Sequence, residues 1–194
     1  LWCNAPGMER HLRSHGIEDS GGKGLDVWLA LGIGAAASDV LVVHDGDNEA
    51  YTPAHVPRLA WPVMNGFAFG KGYYARVENG RLYGRLTRLL AWPLIEAARQ
   101  LTGHAVTEYL AAFRYPLAGE YAVAADLATR LPLPTGFGLE IGMLTACFDQ
   151  VGFGGTAQVD VGWHRHHHRP VTGPGSLERM AQAVIGAILA ALDR

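Results

Sequence analysis

The chain has almost no cysteine, no long apolar run and no surplus of charge of either sign. Two cysteines in 194 residues, Cys3 and Cys147, cannot build a disulfide framework, so the fold must be held by its core. No uninterrupted apolar stretch approaches the roughly 18 residues that a membrane-spanning helix needs, and a cytoplasmic location with no membrane partner is the expectation. A formal net charge of -2 gives no basic field able to neutralise a phosphate backbone, which argues against a nucleic-acid partner. The opening "LWCNAPGMER" lacks the basic start, apolar centre and small-residue cleavage site of a signal peptide. It begins on Leu1 rather than Met, so a fragment or a processed product is expected.

What is present is a globular composition. Hydrophobic residues make up 49% of the chain and charged residues 18%, enough apolar material for one sizeable core. In "SGGKGLDVWLALGIGAAAS" a glycine-rich turn with Lys23 precedes a helix-like run through Leu25, Val27, Trp28, Leu29 and Leu31, broken at Ser38 and Asp39. The apolar strand Val40 to His44 follows, and a near-continuous apolar strand suits a covered parallel sheet. "YTPAHVPRLAWPVM" carries Pro53, Pro57 and Pro62, which predicts short helical turns rather than one helix. "GFAFGKGYYARVENGRLYG" reads as two strands joined at Asn79-Gly80, a strong hairpin signal. In "GRLTRLLAWPLIEAARQLTG" the leucines and Ile95 fall at helical spacing, with Pro93 a kink and Gly103 a stop. Helices are expected around Glu120 to Thr129, Leu139 to Gln150 and Ser176 to Leu192, and "TAQVDVGW" is a short strand leading into "HRHHHRP". With no internal repeat and no dividing linker, residues 1–194 read as one mixed α/β domain.

Asp45 and Asp47, one glycine apart at the end of an apolar strand, are the first chemical oddity. Like charges so close are costly unless a cation or a structured turn absorbs them. Open α/β sheets place ligands at the carboxyl ends of their strands, and two carboxylates with phosphate oxygens make a hard shell for Mg2+ or Mn2+. The same pattern also suits a plain Asp-Gly turn. The run His164 to Arg169 is the second oddity. If extended, it puts His164, His166 and His168 on one face, able to reach a metal through neutral imidazole; a polar surface loop is the plainer reading. Lys23 in "GGKG" and the helix start at Gly84-Arg85-Leu86-Thr87 offer an anion a cation, backbone N–H groups and a hydroxyl. The GxxxxGK(S/T) spacing of a P-loop is absent. Glu140, after "PTGFG", either stabilises a helix N-terminus or faces a ligand, and Glu120 in "AGEY" has the same ambiguity.

Taken in order, "GKG", the strand ending "DGD", "KGYYARV", "GRLTRLLAWPL", "YPLAGEYAV", "GFGLEIGMLTACFD", "AQVDVGW" and "HRHHHRP" resemble the glucosyl-3-phosphoglycerate synthases and their mannosyl-transferring relatives. The resemblance runs from about Gly21 to the C-terminus. It implies an α/β, GT-A-like nucleotide-diphospho-sugar transferase fold, a mixed sheet flanked by helices, here expected to lack its N-terminal strand and helix. It implies transfer of a hexose, read as glucose ahead of mannose, from a nucleotide sugar of UDP-glucose or GDP-mannose type to 3-phosphoglycerate. Retention at the anomeric carbon and a Mg2+ or Mn2+ cofactor come with it. Carried across residue by residue, the resemblance makes Asp47 and His166 the metal ligands. Lys23, Asp45, Asp47 and His164 fall on the donor, and Gly84, Arg85, Thr87 and His168 on the acceptor. Glu140 and Asp45 are the catalytic residues, Glu140 in a positioning or electrostatic role beside the transferred sugar. Two departures stand out: His164 occupies a place where the family commonly has arginine, and His168 one where it commonly has asparagine.

Two other readings compete. "VVHDGDNE" also matches the start of a haloacid-dehalogenase-like phosphosugar phosphatase, whose first Asp is a nucleophile. Glu49 stands where that chemistry normally has Thr or Val, and no later pair of acidic metal ligands is visible. A non-catalytic module built on the histidine run would bind zinc or nickel without Asp45 and Asp47. Apolar helices near the C-terminus suit a homodimer.

Overall fold

The structure, a computed structural model, describes residues 6–17, 23–78, 80–165, 171–173 and 176–193. In chain order the elements are α1 (Pro6–Ser14), α2 (Gly24–Ala35), β1 (Val40–Val43), α3 (His55–Met64), β2 (Phe69–Glu78) and β3 (Arg81–Leu82). A π-helical turn (Thr87–Ala91) then runs into α4 (Trp92–Thr102), followed by α5 (Ala105–Ala111), β4 (Tyr121–Ala124) and the single turn α6 (Ala125–Ala128). The chain ends with α7 (Leu139–Val151), β5 (Thr156–His164) and α8 (Leu177–Leu192).

The sheet is mixed. β4 lies between β1 and β2 and pairs antiparallel with both, β3 closes an antiparallel hairpin at the far end of β2, and β5 runs parallel to β2 along its other edge. β1 is therefore not the parallel strand the sequence suggests: it pairs antiparallel with β4, from Val40↔Ala124 to Val43↔Tyr121. Its unbroken apolar run has another cause. Helices α2 and α3 both pack on it, Leu41 and Val43 joining one core and Val40 and Val42 the other. Cover on both faces, rather than parallel pairing, sets such a pattern.

Alternation along β2 and β4 sorts the side chains between two layers. On one face α3 packs through Leu59 and Val63 against Tyr74, Ala122 and Val161. On the other, Phe69, Tyr121 and Val123 meet Ile95, Tyr109, Leu144 and Ile188 from α4, α5, α7 and α8. Among the described residues no helix is long and apolar enough to cross a membrane.

Two sequence expectations are corrected here, and a third takes a specific form. Glu120 to Thr129 is not a helix but β4 followed by α6, because Tyr121 to Val123 are buried between two partner strands, whose ladders outweigh local helix propensity. The proline-rich 51–64 segment forms one helix, α3, rather than separate turns. Pro57 falls in its first turn, where an N–H would lack an intrahelical partner anyway, and Pro62 lies only two residues before its end, so little is lost. At Pro93 the expected kink takes the form of the π turn, in which the Trp92 N–H reaches the Thr87 carbonyl five residues back. Pro93 then enters the first turn of α4, and insertions of this kind collect at functional sites. The hairpin, the stop at Gly103, α7, β5 and α8 fall where the sequence places them, with β5 continuing through His164.

One packing contact aims the site. Pro134 and Thr135 are wedged between the starts of α2 and α7: the Leu25 N–H donates to Thr135 O at 3.1 Å. A Cβ on Gly24 would overlap the Pro134 and Thr135 backbone, and one on Gly142 would overlap the Pro134 ring. The wedge thereby sets Lys23 beside Glu140. Gly24→Ala, which must displace backbone, is expected to destabilise the fold by about 2 kcal/mol and to lower the melting temperature by roughly 4–8 °C. An unchanged thermal melt would remove the wedge from this account.

Candidate functional site

Lys23 immediately precedes α2, Asp45 follows the end of β1, and Glu140 sits in the first turn of α7. The three meet: Lys23 Nζ lies 2.6 Å from Asp45 Oδ1 and 2.8 Å from Glu140 Oε1. Burial works against the Lys23 charge, but the Glu140 and Asp45 carboxylates outweigh it and hold the ammonium above its ordinary range. Asp45 is pressed against Gly119, where any Cβ would overlap its carboxylate. The absence of a side chain at Gly119 is what admits it.

These groups line a cavity of about 610 Å³. Asp26, Gly46, Asp47, Arg76, Gly84, Arg85 and Thr87 line it as well. Gly84 has φ +88° and lies against the Tyr115 hydroxyl, so a side chain there would be both strained and obstructed. Its conformation leads the chain past Arg85 into the π-helical turn that begins at Thr87. Tyr74 and Tyr115 also line the cavity, their ring centroids 4.7 Å apart.

The cavity thus gathers Lys23, Asp45, Asp47, Gly84, Arg85, Thr87 and Glu140, seven positions singled out from the sequence. His164 is a correction. It is not on the cavity wall but fully buried, 3.4 Å from Glu120 Oε1 and stacked on Tyr74 with ring centroids 3.9 Å apart. The physical reason is that β5 extends through it, pairing His164 with Arg76, so strand geometry turns the ring inward while Trp163 stays exposed. Glu120 does not open a helix either; it enters β4 fully buried. His166 and His168 lie outside the described residues. Arg165, next to His166, is tied to the aspartate loop: its carbonyl accepts from the Glu49 N–H at 2.9 Å and its Nε lies 2.6 Å from Glu49 Oε2.

Sequence reasoning did not single out Tyr74, Arg76 and Tyr115, nor His44, His55 and Lys71 beneath the cavity. Lys71 does carry a signal, since it shares the face of Phe69 in an alternating strand and is therefore aimed at the core. His44 and His55 carry none; they meet only through tertiary packing, with ring centroids 6.1 Å apart. Burial holds the His44 imidazole below its ordinary range, against the pull of Glu120.

As for a metal, Asp45 and Asp47 bring hard carboxylate oxygens to one wall, which suits Mg2+ or Mn2+. Asp45 is committed to Lys23, whereas Asp47 is exposed at the cavity. Among the described residues no three of His, Cys, Asp and Glu group closely enough to hold an ion, so ligation needs a further donor.

The ion pairs predict a pH signature. Because the folded-state pKa of Lys23 is raised, its stabilisation is fully present below the unfolded value of 10.5 and is lost as pH rises beyond it. Lys23→Met is expected to melt lower than the unsubstituted protein at pH 7.5, with the gap narrowing above about pH 10.5. Equal melting temperatures at neutral pH would show that the pairs contribute nothing.

No family model matches the chain. The glucosyl-3-phosphoglycerate synthase of Persephonella marina is 36% identical over 182 residues, covering 87% of this chain and 44% of the relative. That of Methanococcoides burtonii is 33% identical over 179 residues, with the same coverages of 87% and 44%. Among solved structures, glucosyl-3-phosphoglycerate synthase from Mycobacterium tuberculosis in complex with Mn2+, uridine-diphosphate-glucose and phosphoglyceric acid superposes with a TM-score of 0.73 at 33% identity, covering 91% of this chain and 57% of that one. The chain spans about half the length of the curated relatives it matches. In sequence and in its GT-A-like mixed sheet between helices, it is similar to the glucosyl-3-phosphoglycerate synthases over about half of their length.

Proposed function

We propose that this chain carries donor and acceptor positions of a retaining glycosyltransferase that moves glucose from UDP-glucose to 3-phosphoglycerate. The observation that carries the reading is one cavity lined both by Lys23, Asp45, Asp47 and Glu140 and by Arg76, Arg85, Thr87 and the Gly84 turn. The carboxylates suit a metal-bound diphosphate and the arginines a phosphorylated acid. Support comes from the mycobacterial relative, whose structure holds Mn2+, UDP-glucose and phosphoglyceric acid. A mannosyl donor carrying guanosine diphosphate is the alternative at the same site.

In this reading Arg85, the Thr87 hydroxyl and the backbone N–H groups of the turn hold the acceptor's charge and fix its attacking hydroxyl. Lys23 contacts the donor diphosphate. Glu140, beside the transferred sugar, acts through its field and by orienting Lys23 rather than as a nucleophile. Asp47 and His166 would hold the divalent ion, and the tie between Glu49 and Arg165 keeps the two segments together. When bound, Mg2+ or Mn2+ supplies Lewis-acid stabilisation of the charge that grows on the departing diphosphate. The phosphatase alternative fits less well: Asp45, its required nucleophile, is ion-paired with Lys23, and Glu49 is engaged with Arg165.

A donor and acceptor panel tests the proposal. Glucose transfer from UDP-glucose to 3-phosphoglycerate is expected with Mg2+ or Mn2+ and not with a chelator, and Asp47→Asn is expected to lower kcat about 10²–10³-fold. Arg85→Ala should raise KM for the acceptor roughly tenfold while leaving the donor KM in place. Absence of transfer from every nucleotide sugar tried would sink the reading.

A further inference from the structure

Beneath the cavity lies a lysine that the proposed chemistry leaves unused. Lys71, on β2, is 1% exposed. Its Nζ donates to the Ala118 carbonyl at 2.6 Å and lies 5.9 Å from the Tyr121 ring centroid, across the register pair Lys71↔Tyr121. An ammonium in such a place is costly to bury unless other charges compensate it. Glu140 pulls against that cost, and Lys71 lines a cavity of about 40 Å³ together with Lys23, Asp45 and Glu140.

The charge arithmetic of this group is informative. Two carboxylates, Asp45 and Glu140, share one ammonium, Lys23, which alone leaves one negative charge in excess. Adding Lys71 brings the four groups to neutrality. Lys71 also fixes the wall that receives Asp45, because the carbonyl it binds belongs to Ala118, and Gly119, against which Asp45 rests, comes next.

We propose that Lys71 is a positioning residue for the donor: a buried cation that balances Asp45 and Glu140 from below, so that Lys23 can leave them for the donor diphosphate. This rests on the glycosyltransferase reading above. A lysine held by two carboxylates with no second cation would have to abandon a partly buried like-charge pair on turning to a ligand. With Lys71 in place the pair stays compensated.

The groups that face Lys71 define a pH window. They are Glu140 and Cys147 from α7, Tyr121 and Glu120 at β4, Lys23 before α2, and His44 and Asp45 after β1. Burial pushes the Lys71 ammonium down to about 8, against the pull of Glu140. Burial also pushes Cys147 up to about 12 and holds Tyr121 above its ordinary range, the two carboxylates hold Lys23 above its own, and burial holds His44 down. Among these amines, rings and thiol, Lys71 is left to titrate near pH 8.

The test is calorimetric binding of UDP-glucose with Mg2+ between pH 6.5 and 9, for the unsubstituted protein, Lys71→Gln, whose amide can still donate to Ala118 O, and Lys71→Met. Binding to the unsubstituted protein should weaken as pH rises through about 8. Lys71→Gln should bind about tenfold more weakly at pH 7 and lose that pH dependence, with 3-phosphoglycerate binding unchanged and a melting temperature equal or higher. Unaltered donor affinity and pH dependence in both variants would overturn the inference alone. So would a loss of donor and acceptor binding together with a fall in melting temperature, which marks a structural lysine. Failure of the unsubstituted protein to bind any nucleotide sugar would overturn the transferase reading and this inference with it.

Discussion

Asp45 and Glu140 lie 95 residues apart in sequence yet share one ammonium, and the rest of the site follows from that constraint. Two carboxylates brought to one wall repel unless a cation stands between them. Lys23 can stand there only because the Pro134 and Thr135 wedge sets the start of α2 against the start of α7. Gly119, in turn, leaves room for the Asp45 carboxylate on the other side. Glu140 gains further from its place in the first turn of α7, where the helix dipole favours negative charge. Strand end, helix start and helix N-terminus are thus locked together by charge, on backbone brought close by missing side chains.

The cavity is lined by both carboxylates and arginines, and an aromatic stack stiffens its wall. From His55 at the start of α3 it passes to His164 at 5.4 Å, to Tyr74 at 3.9 Å and to Tyr115 at 4.7 Å between ring centroids. The Tyr115 hydroxyl then rests against Gly84. Ring pairs at these separations are favourable beyond their buried area, and this series ties α3, β5 and β2 to the turn at Gly84. The histidine read from the sequence as a donor contact belongs to this support, one layer below the cavity.

How much of this was legible in the sequence depends on whether local pattern or tertiary context decides. The hairpin, the helix stop at Gly103, α7 and α8 are governed by local signals, and the aspartate pair by charge, so they could be read directly. The orientation of β1 could not, because α2 and α3 cover both its faces and thus give an antiparallel strand the apolar look of a parallel one. Residues 121–128 misled for a similar reason: the burial that selects β4 is supplied by β1 and β2, which lie far away in the chain. The ordered motifs brought seven site positions together in advance. They were silent on Arg76, Tyr74 and Tyr115, whose meeting in one cavity depends on β2 passing beside the turn at Gly84.

Histidine at position 164 makes physical sense in this setting. The side chain is fully buried beside Glu120, itself fully buried. Among the described residues neither Glu120 oxygen has a hydrogen-bond partner within ordinary reach. A guanidinium there would be permanently charged, with five donors to satisfy. An imidazole can be neutral, can stack flat on Tyr74, and leaves the pair with Glu120 free of an obligatory buried cation. His44 and His55 crowd the same place, and a third and fourth polar group can be packed there only if not all of them are charged at once. His164 is thereby an aromatic strut that holds Tyr74 in the cavity wall.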